Sequence, residues 1–134
     1  MATLKLEYYR GPDAYSDGAV EDELLEIFGQ RRDVMAILDQ EQRWPMLYHL
    51  SPARRALLEW APWAPQATVL EIGAGCGALT GLLCEKSARV TAVELSAKRS
   101  RIIHQRYLEE PRLEVLAGDI MTIPLSDTFE VVTL

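Results

Sequence analysis

The sequence predicts an α/β protein in which a parallel sheet of about four strands, covered by helices, follows a helical segment. Three observations support this fold class. Short apolar runs alternate with helical patterns after residue 66, helical periodicity dominates the earlier residues, and Pro62 and Pro65 interrupt the chain between the two parts. We therefore expect an N-terminal helical segment over residues 1–65 and a sheet-forming domain over residues 66–134.

The composition is that of a soluble globular chain of one domain. Hydrophobic residues make up 49% and charged residues 25% of the 134 residues. The net charge of −6 argues against a generally basic nucleic-acid binder. No apolar run approaches the ~20 residues that a membrane span needs.

The N-terminus and the cysteines favour a cytoplasmic location. Glu7, Tyr8 and Tyr9 stand where a signal peptide would need an apolar core. Two cysteines, Cys76 and Cys84, are too few for a disulfide framework. We interpret both as reduced thiols.

The N-terminal segment is predicted to contain short helices. Residues 20–28 carry apolar side chains at helical spacing, with Asp17 as the expected N-cap. A second helix is predicted over residues 34–38. The pair 51–52, serine followed by proline, is a start signal for a third helix, which is expected to turn Trp60 inward.

The second half of the chain alternates strand and helix. Strands are predicted over residues 69–72, 90–93, 113–117 and 129–134. One helix follows the first strand, and Ser96 caps the next helix. The β-α-β-α-β order predicts right-handed crossovers and a parallel sheet.

A glycine-rich loop joins the first predicted strand to its helix. Gly73, Gly75 and Gly77 alternate there, in the strand-to-helix context that makes such a loop informative. Glycine allows a tight turn and a close approach of a ligand to the backbone. Free N–H groups at the start of the helix can bind a polar group of that ligand.

Acidic residues lie in or just after the first three predicted strands. Glu94 follows Gly73 by about 20 residues, the spacing at which an acid accepts hydrogen bonds from ribose hydroxyls. Asp119 follows the third strand, and Glu71 lies within the first. Gly73, Gly75 and Ala78 also satisfy the dinucleotide pattern, so the residues alone leave two cofactor classes open.

Taken as a set, Glu71-Ile-Gly-Ala-Gly-Cys-Gly77, Glu94 and Asp119 resemble the first three motifs of bacterial class I S-adenosylmethionine-dependent methyltransferases. The resemblance implies a partial Rossmann-like, doubly wound sheet over residues 66–134 and S-adenosylmethionine as cofactor. It implies that the glycine loop cradles the methionine and ribose, that Glu71 helps to hold the methionine amino end, and that Glu94 binds the ribose. It further implies that Asp119 accepts from the adenine amino group beside the Ile120 N–H. The residues expected to bind the cofactor are Glu71, Gly73, Ala74, Gly75, Gly77, Glu94, Leu95, Asp119 and Ile120.

The resembling fold has seven strands, so the chain is expected to be the N-terminal fragment of a methyltransferase, inactive by itself. The methyl acceptor is unknown and is expected to be a small molecule. No metal-ligand cluster appears, and no catalytic residue is identified, since a lone histidine such as His49 is more often structural. Two alternatives stay open: an NAD(P)-dependent oxidoreductase domain, and a non-catalytic Rossmann-like interaction module.

The last predicted strand suggests self-association. Val131 and Val132 point to opposite faces, so the strand over residues 129–134 is apolar on both sides. An uncovered edge strand leaves N–H and C=O groups free to pair with another chain. We therefore expect association through this edge, unless the N-terminal helices cover it.

Overall fold

The computed structural model describes residues 1–134 and contains five strands, five α-helices and one 3₁₀ helix. The strands are β1 (Thr3–Lys5), β2 (Thr68–Ile72), β3 (Arg89–Glu94), β4 (Leu113–Ala117) and β5 (Val131–Thr133). The α-helices are α1 (Ala19–Gly29), α2 (Val34–Leu38), α3 (Trp44–Leu50), α4 (Thr80–Lys86) and α5 (Ala97–Arg106), and the 3₁₀ helix is Pro52–Leu57.

The strands form one parallel sheet in the order β1-β4-β3-β2-β5. The predicted α/β class, the parallel sheet and the Rossmann-like arrangement are confirmed. The predicted count of about four strands is one short, because β1 pairs with β4 through Leu4 and Val115. The N-terminal segment therefore contributes an edge strand to the sheet as well as helices.

Apolar side chains on both faces hold the sheet between helices and loops. Val69, Val90 and Val115 are fully buried on one face, where Leu83 of α4 and Ile103 of α5 pack against them. Alternation along each strand sends the intervening residues to the opposite face. A second, smaller cluster forms there from Leu70, Val93, Leu116 and Ile123.

The N-terminal helices pack at the end of the sheet that carries the glycine loop. Leu24 of α1, Met46 of α3 and Ile102 of α5 belong to one buried cluster, which also includes Cys76 of the loop. Apolar packing thus holds the N-terminal helices against the glycine loop.

The helices of the N-terminal segment also differ from the sequence prediction. Helix α3 was not predicted, and the chain after Ser51 forms a 3₁₀ helix in which the Ser51 side chain caps Ala53. Trp60 is 77% exposed and does not turn inward. Gly18, not Asp17, stands at the N-cap of α1, because the Asp17 carboxylate is bound to side chains from other elements.

Both cysteines are free and buried, and burial raises the pKa of each thiol to about 12. None of the helices combines the length and the apolar composition that crossing a membrane requires.

Candidate cofactor site

The glycine loop after β2 turns through backbone conformations that only glycine adopts readily. Gly73 and Gly75 have φ of +71° and +60°, and a Cβ built on either would meet no atom within 4 Å. The N–H of Gly73 donates to the Val93 carbonyl of β3, which fixes the loop to the sheet. The loop therefore presents open space beside a rigidly held backbone.

Gly77 lies against the end of α5 and does not face open space. Its φ is +79°, but a Cβ there would stand 3.0 Å from the Tyr107 ring. The Tyr107 hydroxyl donates to the Gly77 carbonyl over 2.5 Å. Gly77 lines none of the cavities described below. Its lack of a side chain therefore allows the end of α5 to pack closely on the loop.

Glu94 ends β3 and holds the glycine loop by hydrogen bonds to the backbone. Its Oε2 accepts from the Gly75 N–H over 2.8 Å, and its Oε1 accepts from the Ser96 N–H over 2.9 Å. A carboxylate offers about four acceptor positions, so about two remain. Glu94 is 6% exposed and lines a cavity, so these positions can meet a ligand hydroxyl.

The first cavity lies at the ends of β3 and β4 and encloses about 310 Å³; we call it the Asp119 cavity. Glu94, Leu95 and Asp119 all line it, as the sequence suggested. Leu95 is 61% exposed and offers an apolar surface. Asp119 accepts from the Met121 N–H through one oxygen, and the neighbouring Ile120 N–H has no acceptor within the protein.

The opposite wall of the Asp119 cavity is the segment 8–15, which the sequence did not associate with any site. Asp13 fixes this segment to the start of α5, where its carboxylate accepts from the Ser96 hydroxyl and from the Ala97 and Lys98 N–H groups. Burial opposes ionisation, but the hydrogen bonds outweigh it and lower the pKa of Asp13. Helix capping from a distant segment leaves no local pattern in the sequence.

Glu71 of β2 borders a second cavity of about 410 Å³, the Glu71 cavity, together with Gly73 and Ala74. It is 5% exposed and accepts a hydrogen bond from the Thr80 hydroxyl over 2.7 Å. Burial raises the pKa of Glu71 to about 7, although Thr80 and Arg54 act in the opposite direction. A buried carboxyl beside a cavity can take up a cationic group there by ionising.

A third cavity, of about 400 Å³, lies between the glycine loop and the N-terminal helices; we call it the His49 cavity. It contains a network that the sequence did not reveal. His49 Nε2 lies 2.8 Å from Asp17 Oδ2, and Arg99 binds both that oxygen and Glu21 at 3.1 and 2.7 Å. Arg99 lies in a basic stretch, residues 98–101, yet it is buried, since these carboxylates compensate its charge.

The three cavities are adjacent, since Tyr15 borders the first and third, while Gly73 and Ala74 border the second and third. They follow the carboxyl ends of β2, β3 and β4, where ligands bind in open parallel sheets. A glycine loop and carboxyl groups at successive strand ends are typical of the cofactor end of class I S-adenosylmethionine-dependent methyltransferase domains.

The comparison with family models agrees with this class: residues 69–134 match the model described as "Methyltransferase domain". Ribosomal RNA small subunit methyltransferase A of Geobacter metallireducens is 41% identical over 63 residues, which are 47% of this chain and 23% of that protein. A probable ribosomal RNA small subunit methyltransferase A of Methanosarcina acetivorans is 38% identical over 73 residues, 54% of this chain and 27% of that protein.

Solved structures show the same fold. Phosphoethanolamine N-methyltransferase 1 of Haemonchus contortus superposes with a TM-score of 0.59 over 90% of this chain and 26% of that chain, at 15% identity. A dimethyladenosine transferase of Plasmodium falciparum gives a TM-score of 0.54 over 61% of this chain and 30% of that chain, at 25% identity. The first match extends the fold similarity into the N-terminal segment.

The match over residues 69–134 and the relatives described above support a class I S-adenosylmethionine-dependent methyltransferase. Members of this family use S-adenosylmethionine as methyl donor. The comparisons give no support to the oxidoreductase alternative. The chain spans about a quarter of the length of the curated relatives described above.

Proposed function

We propose that this chain binds S-adenosylmethionine across the ends of β2, β3 and β4, for methyl transfer to an acceptor. The observation that carries the proposal is the pair Gly73 and Gly75, both left-handed and both facing open space. Such positions cost conformational entropy and let a ligand lie where a side chain would otherwise stand. Glu94 joins that loop to the Asp119 cavity.

The residues present fit the parts of the cofactor. Asp119 and the free Ile120 N–H offer the acceptor and donor that an adenine edge needs, and Leu95 offers an apolar surface. The unused acceptor positions of Glu94 suit ribose hydroxyls. Glu71 suits the methionine ammonium, since a cation stabilises the ionised form of a buried carboxyl.

The cofactor supplies a methyl group on a positively charged sulfur. This chain therefore holds the donor and the acceptor in line and limits the access of water. Such positioning can lower a reaction barrier by several kcal/mol. The segment 8–15 lies over the Asp119 cavity, and Asp13 fixes that segment to α5.

Calorimetric titration tests the binding proposal. The unchanged chain should bind S-adenosylhomocysteine, and NAD should give no heat of binding at the same concentrations. Gly75→Val should weaken the binding of S-adenosylhomocysteine by about ten- to a hundredfold, because filling a packed space costs about 1–3 kcal/mol.

Gly18→Val is the matched control for Gly75→Val. Gly18 has φ of +71° and open space around it, but it lines none of the three cavities. Both variants place a valine at a positive φ with open space around it, and only Gly75→Val should lose affinity beyond any loss of stability. Equal affinity in the two folded variants contradicts the proposed placement. Failure of the unchanged chain to bind at millimolar concentration favours the non-catalytic interaction module.

The acceptor is proposed separately. The small molecule expected from the sequence has no support from the relatives, which are named as ribosomal RNA methyltransferases. We propose RNA as the acceptor class on the basis of those names. Because the net charge is −6, this chain by itself offers little general attraction for RNA.

Transfer of a labelled methyl group from S-adenosylmethionine to ribosomal RNA, measured for the full-length protein over a salt series, tests the acceptor. An RNA acceptor predicts labelled RNA and a loss of activity as salt increases. Label found only in small molecules, with no salt dependence, supports the earlier expectation.

A further inference from the structure

The His49 cavity contains a histidine whose two ring nitrogens have different surroundings. Nε2 lies 2.8 Å from the Asp17 carboxylate, and the ring is almost wholly buried. Nδ1 has no hydrogen-bond partner within the protein, and this atom is accessible to solvent. A carboxylate on one nitrogen holds the proton there and leaves the other nitrogen as an acceptor.

The Asp17 carboxylate is itself held in place. Arg99 of α5 binds Asp17 Oδ2 over 3.1 Å and Glu21 over 2.7 Å, and Glu21 accepts from the Asp17 N–H. The Arg106 guanidinium donates to the carbonyls of His49 and Cys76. Asp17, held by Arg99 and Glu21, therefore orients the His49 ring, and Arg106 holds the His49 backbone beside the glycine loop.

The His49 cavity borders the part of the loop where the reacting sulfur would lie. If Glu94 binds the ribose and Glu71 the methionine amino end, the sulfur between them lies near residues 73–75. Those residues line the His49 cavity. The exposed rings of Trp44 and Tyr48 form part of its rim.

We propose that the His49 cavity receives the methyl acceptor and that His49, oriented by Asp17, removes the acceptor's proton. This inference rests on the proposed function. The acceptor is a hydroxyl or an N–H compound. Its oxygen or nitrogen forms the bond to the methyl carbon, the carbon–sulfur bond breaks with its electron pair going to sulfur, and the acceptor proton passes to Nδ1 of His49.

Several charged and titratable groups surround His49. They are the carboxylates of Asp17 and Glu21, the guanidinium groups of Arg54, Arg99 and Arg106, Tyr48 and the Cys76 thiol. The same protein groups surround His49 whichever ligand is bound. S-adenosylmethionine and S-adenosylhomocysteine differ only by the methyl group and one positive charge at the sulfur. Comparing the two complexes therefore isolates the effect of that charge and that methyl group on His49.

NMR spectra of the ring nitrogens test the proposal without an identified acceptor, since the chain has only two histidines. The ring-nitrogen signals of His49 should differ between the S-adenosylmethionine and S-adenosylhomocysteine complexes, because only the first ligand places a positive charge and a methyl group beside the His49 cavity. The signals of His104, which lies against the Ala2 carbonyl, should not change and are the internal control.

The same spectra report the tautomer. Neutral His49 should carry its proton on Nε2, and Asp17→Asn should weaken that preference while the fold is retained. Identical His49 ring-nitrogen signals in the two complexes, or a proton on Nδ1 of the neutral ring, overturn the proposal even though the cofactor binds. Absence of binding by either ligand refutes the proposed function itself and this inference with it.

Discussion

Glu71 carries the sharpest prediction about stability, because its carboxyl is buried beside only one hydrogen-bond donor, the Thr80 hydroxyl. Burial raises its pKa from 4.5 to about 7. Between these two pH values the folded chain keeps a proton that the unfolded chain has lost. The neutral carboxyl therefore contributes stability that is fully present below about pH 4.5 and is lost as the pH rises through about 7.

The size of this effect follows from the two pKa values. A separation of about 2.5 units, at about 1.4 kcal/mol per unit, gives about 3 kcal/mol in the free energy of unfolding. Most of that loss falls between pH 5 and pH 8. Carboxylates with lowered pKa values, such as Glu85 and Glu110, are already ionised at pH 5 in the folded chain, so they add little to the change in this pH range.

Glu71→Gln removes the ionisation and keeps an oxygen that can accept from Thr80. Urea unfolding should be measured at pH 5 and at pH 8 for both proteins. Between these pH values, the free energy of unfolding should fall by about 2 to 3 kcal/mol more for the unchanged chain than for the variant. Glu85→Gln is the control, because Glu85 is exposed and ionised throughout, paired with Arg55. It should leave the pH dependence unchanged.

Parallel losses for the unchanged chain and Glu71→Gln between pH 5 and pH 8 would refute the reasoning, since Glu71 would then ionise at an ordinary pKa in the folded chain. The same carboxyl also links binding to pH. If the methionine ammonium lies beside Glu71, binding should release a proton near pH 6. Calorimetry in buffers of different ionisation enthalpy would count that proton, and Glu71→Gln should abolish its release.

Three further predictions concern other parts of the chain. Glu94→Gln should lower the affinity for S-adenosylhomocysteine by about ten- to a hundredfold, since a hydrogen bond to a charged group contributes ~1.5–3 kcal/mol. If the unchanged chain binds the 2′-deoxyribose analogue equally well, this prediction is wrong. Asp13→Ala should cost about 1 kcal/mol in urea unfolding and speed amide exchange in segment 8–15, because the Ala97 and Lys98 N–H groups at the start of α5 lose their acceptor and the segment loses its attachment; unchanged exchange contradicts this. At the β5 edge, where Val132 is 57% exposed, light scattering should show concentration-dependent association that Val132→Lys reduces; a 15.1 kDa monomer at high micromolar concentration excludes it.

The sequence by itself determined the central strands and the glycine loop. The predicted strand over residues 113–117 coincides with β4, and those over residues 69–72 and 90–93 lie within β2 and β3. These strands are apolar runs between turn-forming residues, so their signal is local. The loop was equally predictable, because positive φ at Gly73 and Gly75 is a local requirement that favours glycine.

Strand β1 depended on tertiary structure. Its three residues, Thr3–Lys5, carry too short a pattern to predict a strand, and they become one by pairing with β4. The exposed position of Trp60 was equally hidden, because helical spacing indicates a face but not what lies against it.

The surroundings of the site were also decided by tertiary structure. Arg99 has the local sequence of a solvated charge, and it is buried because Asp17 and Glu21 arrive from a distant segment. His49 gains an orientation only through Asp17, and Asp13 caps a helix more than 80 residues away along the chain. A buried charge or a fixed imidazole requires a partner of matching chemistry, and folding, rather than neighbouring sequence, brings that partner into contact.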